Sequence, residues 1–167
     1  MSRLDSMIRR LQAQKTALED AARRLAALDC PSDAPVLEFG LGNGRTYDHL
    51  RTLLPDRPIY VFDRQVAAHP ACIPPEEHFF LGDLFETLPD AQARLGRTAV
   101  MAHLDIGTGD KQASMALSCR AAPFIAALLV QGALVVSDQP IDDLERFDPL
   151  PMPPGIKPGR IHLYRRQ

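Results

Sequence analysis

Residues 3 to 29 hold no Gly or Pro, and leucine recurs every seven positions, at Leu4, Leu11, Leu18 and Leu25, with Met7, Ile8, Ala21, Ala22 and Leu28 beside them. That spacing lines apolar side chains along one face of an α-helix. The stripe suits a face packed on the protein's own body; a partner helix in a homo-oligomer is the alternative, favoured by the seven-residue repeat and opposed by Lys15 at a seam position. After "CPSDAP" the pattern changes to short apolar runs alternating with helical ones, the mark of a parallel sheet covered on both faces. Strands are predicted at 35–39, 58–62, 78–81, 98–104 and 132–137, and helices at 44–54, 84–95 and 111–129. Pro123 is expected to kink or split the last helix, because proline cannot donate its backbone hydrogen bond. Alternating Ile161 and Leu163 make 159–166 a final strand, and its arginines suit a sheet edge. Residues 148–159 read as a proline-stiffened loop. The chain divides into an N-terminal helix, 1–30, packed on the core or in an oligomer interface, and a single α/β domain, 31–167.

Composition narrows the function. A chain of 167 residues suits one core, and 46% apolar with 24% charged residues is the balance of a globular protein. A formal net charge of -2 gives no global pull toward nucleic acid or an anionic membrane, so neither is expected as a partner and a small molecule is. Arg160, Arg165 and Arg166 read as a solvated edge. Cys30, Cys72 and Cys119 form no CxxC pair, which opposes both a disulfide framework and a zinc site. With no apolar leader of signal-peptide length, a cytoplasmic location is expected.

Candidate chemistry begins at "VLEFGLGNGRTYDHL", residues 36–50. A phosphate-cradling P-loop needs a lysine followed by Ser or Thr after its glycines, and here Arg45 and Thr46 follow Gly44. A dinucleotide fingerprint needs a third glycine where Arg45 stands. The spacing present is E-x-G-x-G-x-G: Glu38, Gly40, Gly42, Gly44. Asp63 follows 19 positions after Gly44 at the end of the second strand, and Gly82-Asp83-Leu84 follows the third.

This set resembles motif I and the following strand-end landmarks of the class I S-adenosylmethionine-dependent methyltransferases. The resemblance spans residues 35–138, and the whole chain also resembles a small bacterial S-adenosyl-L-methionine methyltransferase-like family, with no particular acceptor implied. It implies a Rossmann-like three-layer αβα sandwich, sheet order 3-2-1-4-5 plus a final edge strand, with an added N-terminal amphipathic helix. It also implies S-adenosyl-L-methionine bound at Glu38, Phe39, Gly40, Gly42, Asn43, Gly44, Asp63, Gly82, Asp83 and Leu84. In that scheme Asp63 accepts the ribose hydroxyls, Asp83 the adenine amino group, and Tyr47 approaches the carboxylate of the methionine end. Arg64 departs from the pattern and is a candidate to stack on adenine.

The acceptor side falls at "HLDIGTGDK" (103–111) and "VVSDQP" (135–140), whose strands lie about 5 Å apart. Methyl transfer is an in-line displacement that proximity and orientation alone accelerate. Asp105 is the first candidate for a base or for orienting the cofactor, with His103 on the same side of the strand the second. Asp105 and Asp138 also resemble the metal-binding carboxylates of catechol-type O-methyltransferases, except that Gln139 stands where Asn is expected; the primary reading has no metal. A non-catalytic S-adenosylmethionine-binding module and an NAD(P) oxidoreductase are the competing readings.

Overall fold

The computed structural model describes residues 2–167. Helix α1 (Arg3–Ala26) opens on a capping box in which the Ser2 hydroxyl accepts from the Asp5 backbone N–H and the Asp5 carboxylate accepts from Ser2. Then follow β1 (Val36–Phe39), α2 (Arg45–Leu53), β2 (Ile59–Asp63), β3 (Phe79–Leu81), α3 (Leu84–Leu95), β4 (Ala99–Leu104), α4 (Lys111–Leu128), β5 (Leu129–Ser137), β6 (Phe147–Pro149) and β7 (His162–Arg166). Two 3-10 turns, Pro70–Cys72 and Glu76–His78, lie between β2 and β3.

The strands form one sheet in the order β3-β2-β1-β4-β5-β7-β6. The first five are parallel and the last two antiparallel. The expected Rossmann-like architecture is therefore present. The final strand is not the edge: β7 lies between β5 and β6, and β6 comes from the start of the segment read as a loop. Proline leaves β6 suited to an edge, since its missing N–H costs no ladder bond there.

Alternation along the strands sorts the core into two layers. Leu37, Phe39, Ala102 and Leu104 face α3 and α4, while Val36, Met101, Leu134 and Val136 face α1 and α2. Pro123 does not split α4. Its neighbours Ala121, Ala122, Ile125 and Ala126 are buried against the sheet, and that apolar contact offsets the lost helical bond. Helix α1 packs on the body through Ala17, Leu18, Ala21 and Leu25, whereas Leu4, Met7, Ile8 and Leu11 in its first half are exposed. No helix among the described residues is long and apolar enough to cross a membrane.

Candidate functional site

The parallel strands end on one side of the sheet, and the connections there build a cavity of ≈640 Å³. Phe39 and Phe62 line it and begin a column of rings on β1, β2 and β3: Phe39 and Phe62 stack at 4.4 Å between centroids, and Phe62 and the core residue Phe80 at 4.7 Å. Gly40 leaves β1 with φ +94° and passes so close to β4 that a Cβ there would stand 2.2 Å from the Asp105 carbonyl oxygen. Gly42, at φ +52°, borders open space, so bare backbone faces the cavity. Asp63 ties this turn down: its Oδ2 accepts the N–H groups of Leu41 at 2.8 Å and Gly42 at 3.0 Å, and its Oδ1 that of Gln65 at 3.2 Å. Across the cavity Asp83 is the N-cap of α3, with Oδ1 accepting from Phe85 N at 2.9 Å.

Behind the glycine turn lies a buried polar chain. The β1–β4 register sets Glu38 beside His103, and both side chains are fully buried on the α1/α2 face. His103 Nδ1 lies 2.7 Å from Glu38 Oε2, and the Thr46 hydroxyl donates to Glu38 Oε1. Gln14 of α1 reaches in, its amide N–H₂ lying 3.3 Å from His103 Nε2 and donating to Asp105 Oδ2 at 2.9 Å. Arg10, one turn earlier, donates to Asp105 Oδ1 at 2.7 Å. Burial pushes the His103 pKa down, but the Glu38 charge and hydrogen bond, with smaller pulls from Asp105 and Asp138, outweigh it and the net direction is up. The Gln14 amide acts against charging, because it presents N–H to a ring nitrogen that accepts only in the neutral Nδ1–H tautomer.

A second cleft, ≈300 Å³, adjoins the first at Gly107. Arg10, Lys111, Asp138, Gln139 and Arg160 line it. Asp138 extends β5 beside β4, its N–H donating to the Leu104 carbonyl at 2.9 Å. Its Oδ2 accepts from Gln139 at 3.1 Å, and its buried Oδ1 has no hydrogen-bond partner. Burial is the main cause that raises the Asp138 pKa above the ordinary carboxylate value.

Of the residues singled out in the sequence, Phe39, Gly40, Gly42, Asp63, Arg64, Gly82, Asp83, Leu84 and Asp105 come together around the larger cavity. Glu38, Asn43, Gly44, Tyr47 and His103 do not line it. Glu38 and His103 are consumed by their mutual contact, Gly44 is the N-cap of α2, and Tyr47 is buried against the body with Arg51 over its ring. Asp105 lines the cavity with both carboxylate oxygens engaged by Arg10 and Gln14, a poor state for a base. The Asp105–Asp138 pair is a poor fit for a divalent cation: both Asp105 oxygens are already engaged, by Arg10 and Gln14, and the described residues hold no cluster of three or more His, Cys, Asp or Glu able to bind a metal. Phe62, Gln65, Phe85, Ile106, Thr108 and Leu117 also line the larger cavity, and the sequence carried no motif for them. Arg10 and Gln14 were equally unmarked, because nothing in the periodicity of a helix tells which strand end it will overhang.

A family model described as S-adenosyl-L-methionine methyltransferase matches residues 1–166. Among solved structures, an S-adenosyl-L-methionine methyl transferase from Silicibacter pomeroyi DSS-3 is 43% identical, with 100% of this chain and 99% of that one covered and a TM-score of 0.91. An RNA methyltransferase from Salinibacter ruber, in complex with S-adenosyl-L-homocysteine, is 17% identical over 88% of each chain, TM-score 0.51. A fibrillarin pre-rRNA processing protein from Methanococcus jannaschii is 13% identical over 81% of this chain and 67% of that one, TM-score 0.56. These two share the fold alone. None of the curated proteins matches the sequence significantly. The glycine turn, the acids at successive strand ends and the match over nearly the whole chain agree: this chain belongs to the S-adenosyl-L-methionine methyltransferase family.

Proposed function

We propose that the chain methylates a small-molecule acceptor held in the cleft beside Gly107, chiefly by placing it in line with the cofactor's methyl group. The residues present fit S-adenosylmethionine. Gly42 offers bare backbone next to open space, Asp83 has one carboxylate oxygen beyond its capping bond, and Phe39 and Phe62 give an apolar floor for a nucleoside. Asp63 is assigned to the ribose hydroxyls, and the Leu84 N–H with Asp83 to the adenine edge; Arg64 and Gln65 close the rim. Bound there, S-adenosylmethionine supplies an electrophilic methyl group on a sulfonium.

The observation that carries the acceptor reading is that Gly107 lines both cavities, so the smaller one lies directly beside the larger. A volume of ≈300 Å³ is at the small end for ligand sites and suits a compact molecule. Holding acceptor and methyl near attack geometry lowers the barrier by several kcal/mol without acid or base. The acceptor's nucleophilic atom bonds to the methyl carbon as the carbon–sulfur bond breaks and its electron pair stays on sulfur. The proton that the acceptor gives up is assigned to Asp138, which lines the cleft and whose raised pKa suits a base better than the engaged Asp105. The Glu38–His103–Gln14 chain positions the end of β4 and does not touch the acceptor. Incubating the protein with a methyl-labelled donor and a pool of small metabolites tests this: label is expected in a small molecule, together with S-adenosylhomocysteine. Label found in RNA or protein alone would overturn it.

A further inference from the structure

We infer that the smaller cleft recognises an anionic group on the acceptor, a carboxylate or a phosphate, through Lys111 and Arg160; this rests on the methyl-transfer reading above. Three cations converge on the cleft from separate parts of the chain: Arg10 from α1, Lys111 from the first turn of α4, and Arg160 from the loop before β7. Arg10 is engaged by Asp105. Lys111 and Arg160 form no ion pair among the described residues.

Two acids share the wall. Asp110 caps α4, its Oδ1 accepting from Ala113 N at 2.7 Å, and Asp138 is bonded to Gln139 and largely withdrawn from water. The lining thus sets three cations, Arg10, Lys111 and Arg160, against the two carboxylates of Asp110 and Asp138. The N-terminal end of the 18-residue helix α4 adds partial positive charge in the same direction. Arg9 and Lys157, with Arg160, line a further small cleft alongside, which extends the positive surface.

The placement gives the acceptor an orientation. Gly107 is the shared wall, and a side chain there would meet Asp138, since a Cβ would stand 2.7 Å from Oδ2. An anionic group anchored at Lys111 and Arg160 leaves the rest of a short molecule pointing past Gly107 toward the larger cavity. A cationic acceptor would meet like charge both here and at the sulfonium, while a neutral one would leave two desolvating cations without partners.

The test is a 1H–15N NMR titration of the full chain saturated with S-adenosylhomocysteine, using inorganic phosphate and acetate as separate probes at constant ionic strength. Saturable shifts are expected at Gly109, Lys111 and Gly159, and the probe that binds more tightly distinguishes phosphate from carboxylate. In the Lys111→Gln/Arg160→Gln double variant, affinity for that probe should fall about tenfold or more, the loss of a charge-assisted bond. No saturable shift with either probe, or equal affinity in parent and variant, overturns the inference. The cofactor reading has its own readout: S-adenosylhomocysteine should shift Gly42, Asp63 and Asp83 in both proteins, and only the absence of those shifts counts against it.

Discussion

Replacing Asp63 with Ala separates a loop staple from the proposed ribose contact, because the carboxylate accepts three backbone N–H groups of the turn and also lines the larger cavity. The substitution removes three accepted N–H bonds, from Leu41, Gly42 and Gln65. Bonds to a charged acceptor are worth about 1.5 to 3 kcal/mol each when intact. The freed N–H groups lie at the open end of the sheet and can turn to water, so a net stability loss of about 1 to 2 kcal/mol is expected. For a chain of this size that is a fall in Tm of about 2 to 8 °C. Cofactor binding should suffer more. Two ribose hydroxyls donating to this carboxylate are worth about 3 to 6 kcal/mol together, or a rise in Kd of about 100-fold or more. Asp63→Asn keeps one acceptor oxygen but sets an NH2 group against at least one of the N–H donors, so it should lose about tenfold in affinity and lower Tm, by less than Asp63→Ala. Calorimetric titration with S-adenosylhomocysteine, beside thermal denaturation of the free proteins, reads both effects. If Asp63→Ala lowers Tm yet leaves Kd unchanged, the carboxylate only staples the turn and the ribose assignment is wrong.

Gly40→Ala should destabilise the fold by about 2 kcal/mol or more, from positive-φ strain plus the collision with the Asp105 carbonyl, whereas Gly42→Ala carries strain alone; equal losses in urea denaturation would count against the close approach of β1 and β4. Glu38→Gln should lower the His103 pKa, followed by its ring signals in NMR. Because the folded value lies above the unfolded one of about 6.5, His103's share of stability is complete below that pH and is lost as pH rises through the folded value. An unshifted His103 titration in Glu38→Gln would refute the pair. Asp138 is likewise raised from 3.8, so its contribution is present below that pH and turns into a penalty as pH rises through the folded value. Asp138→Asn should therefore be at least as stable as the parent at pH 7, with the advantage shrinking toward pH 4, while methyl transfer to a proton-bearing acceptor slows; a variant less stable at pH 7 than at pH 4, relative to the parent, contradicts this sign.

The order of strands and helices, and most of the lining of the larger cavity, were legible in local pattern. Apolar alternation located β1 through β5 to within a few residues, and the E-x-G-x-G-x-G spacing with Asp63 and Asp83 marked points that the parallel sheet necessarily gathers at its carboxyl edge. Glu38 does not line the larger cavity, because motif spacing says which residues are near the turn, not which face of the strand each occupies. Its register with His103 turns it under α1 and α2. Asp105 likewise looked like a free carboxylate until Arg10 and Gln14, some ninety residues distant in the chain, arrived on α1.

What the amino-acid order determined alone was whatever depends on neighbours in sequence: helix and strand periods, caps, and a turn that only glycine can make. What tertiary structure decided was which charges remain free. That Lys111 and Arg160 face a cleft unpaired while Arg10 is spent on Asp105 follows from how α1 lies across the strand ends and how β7 inserts between β5 and β6. Those contacts join segments far apart in the chain, and their energies are set by burial and distance in space, quantities that no local pattern encodes.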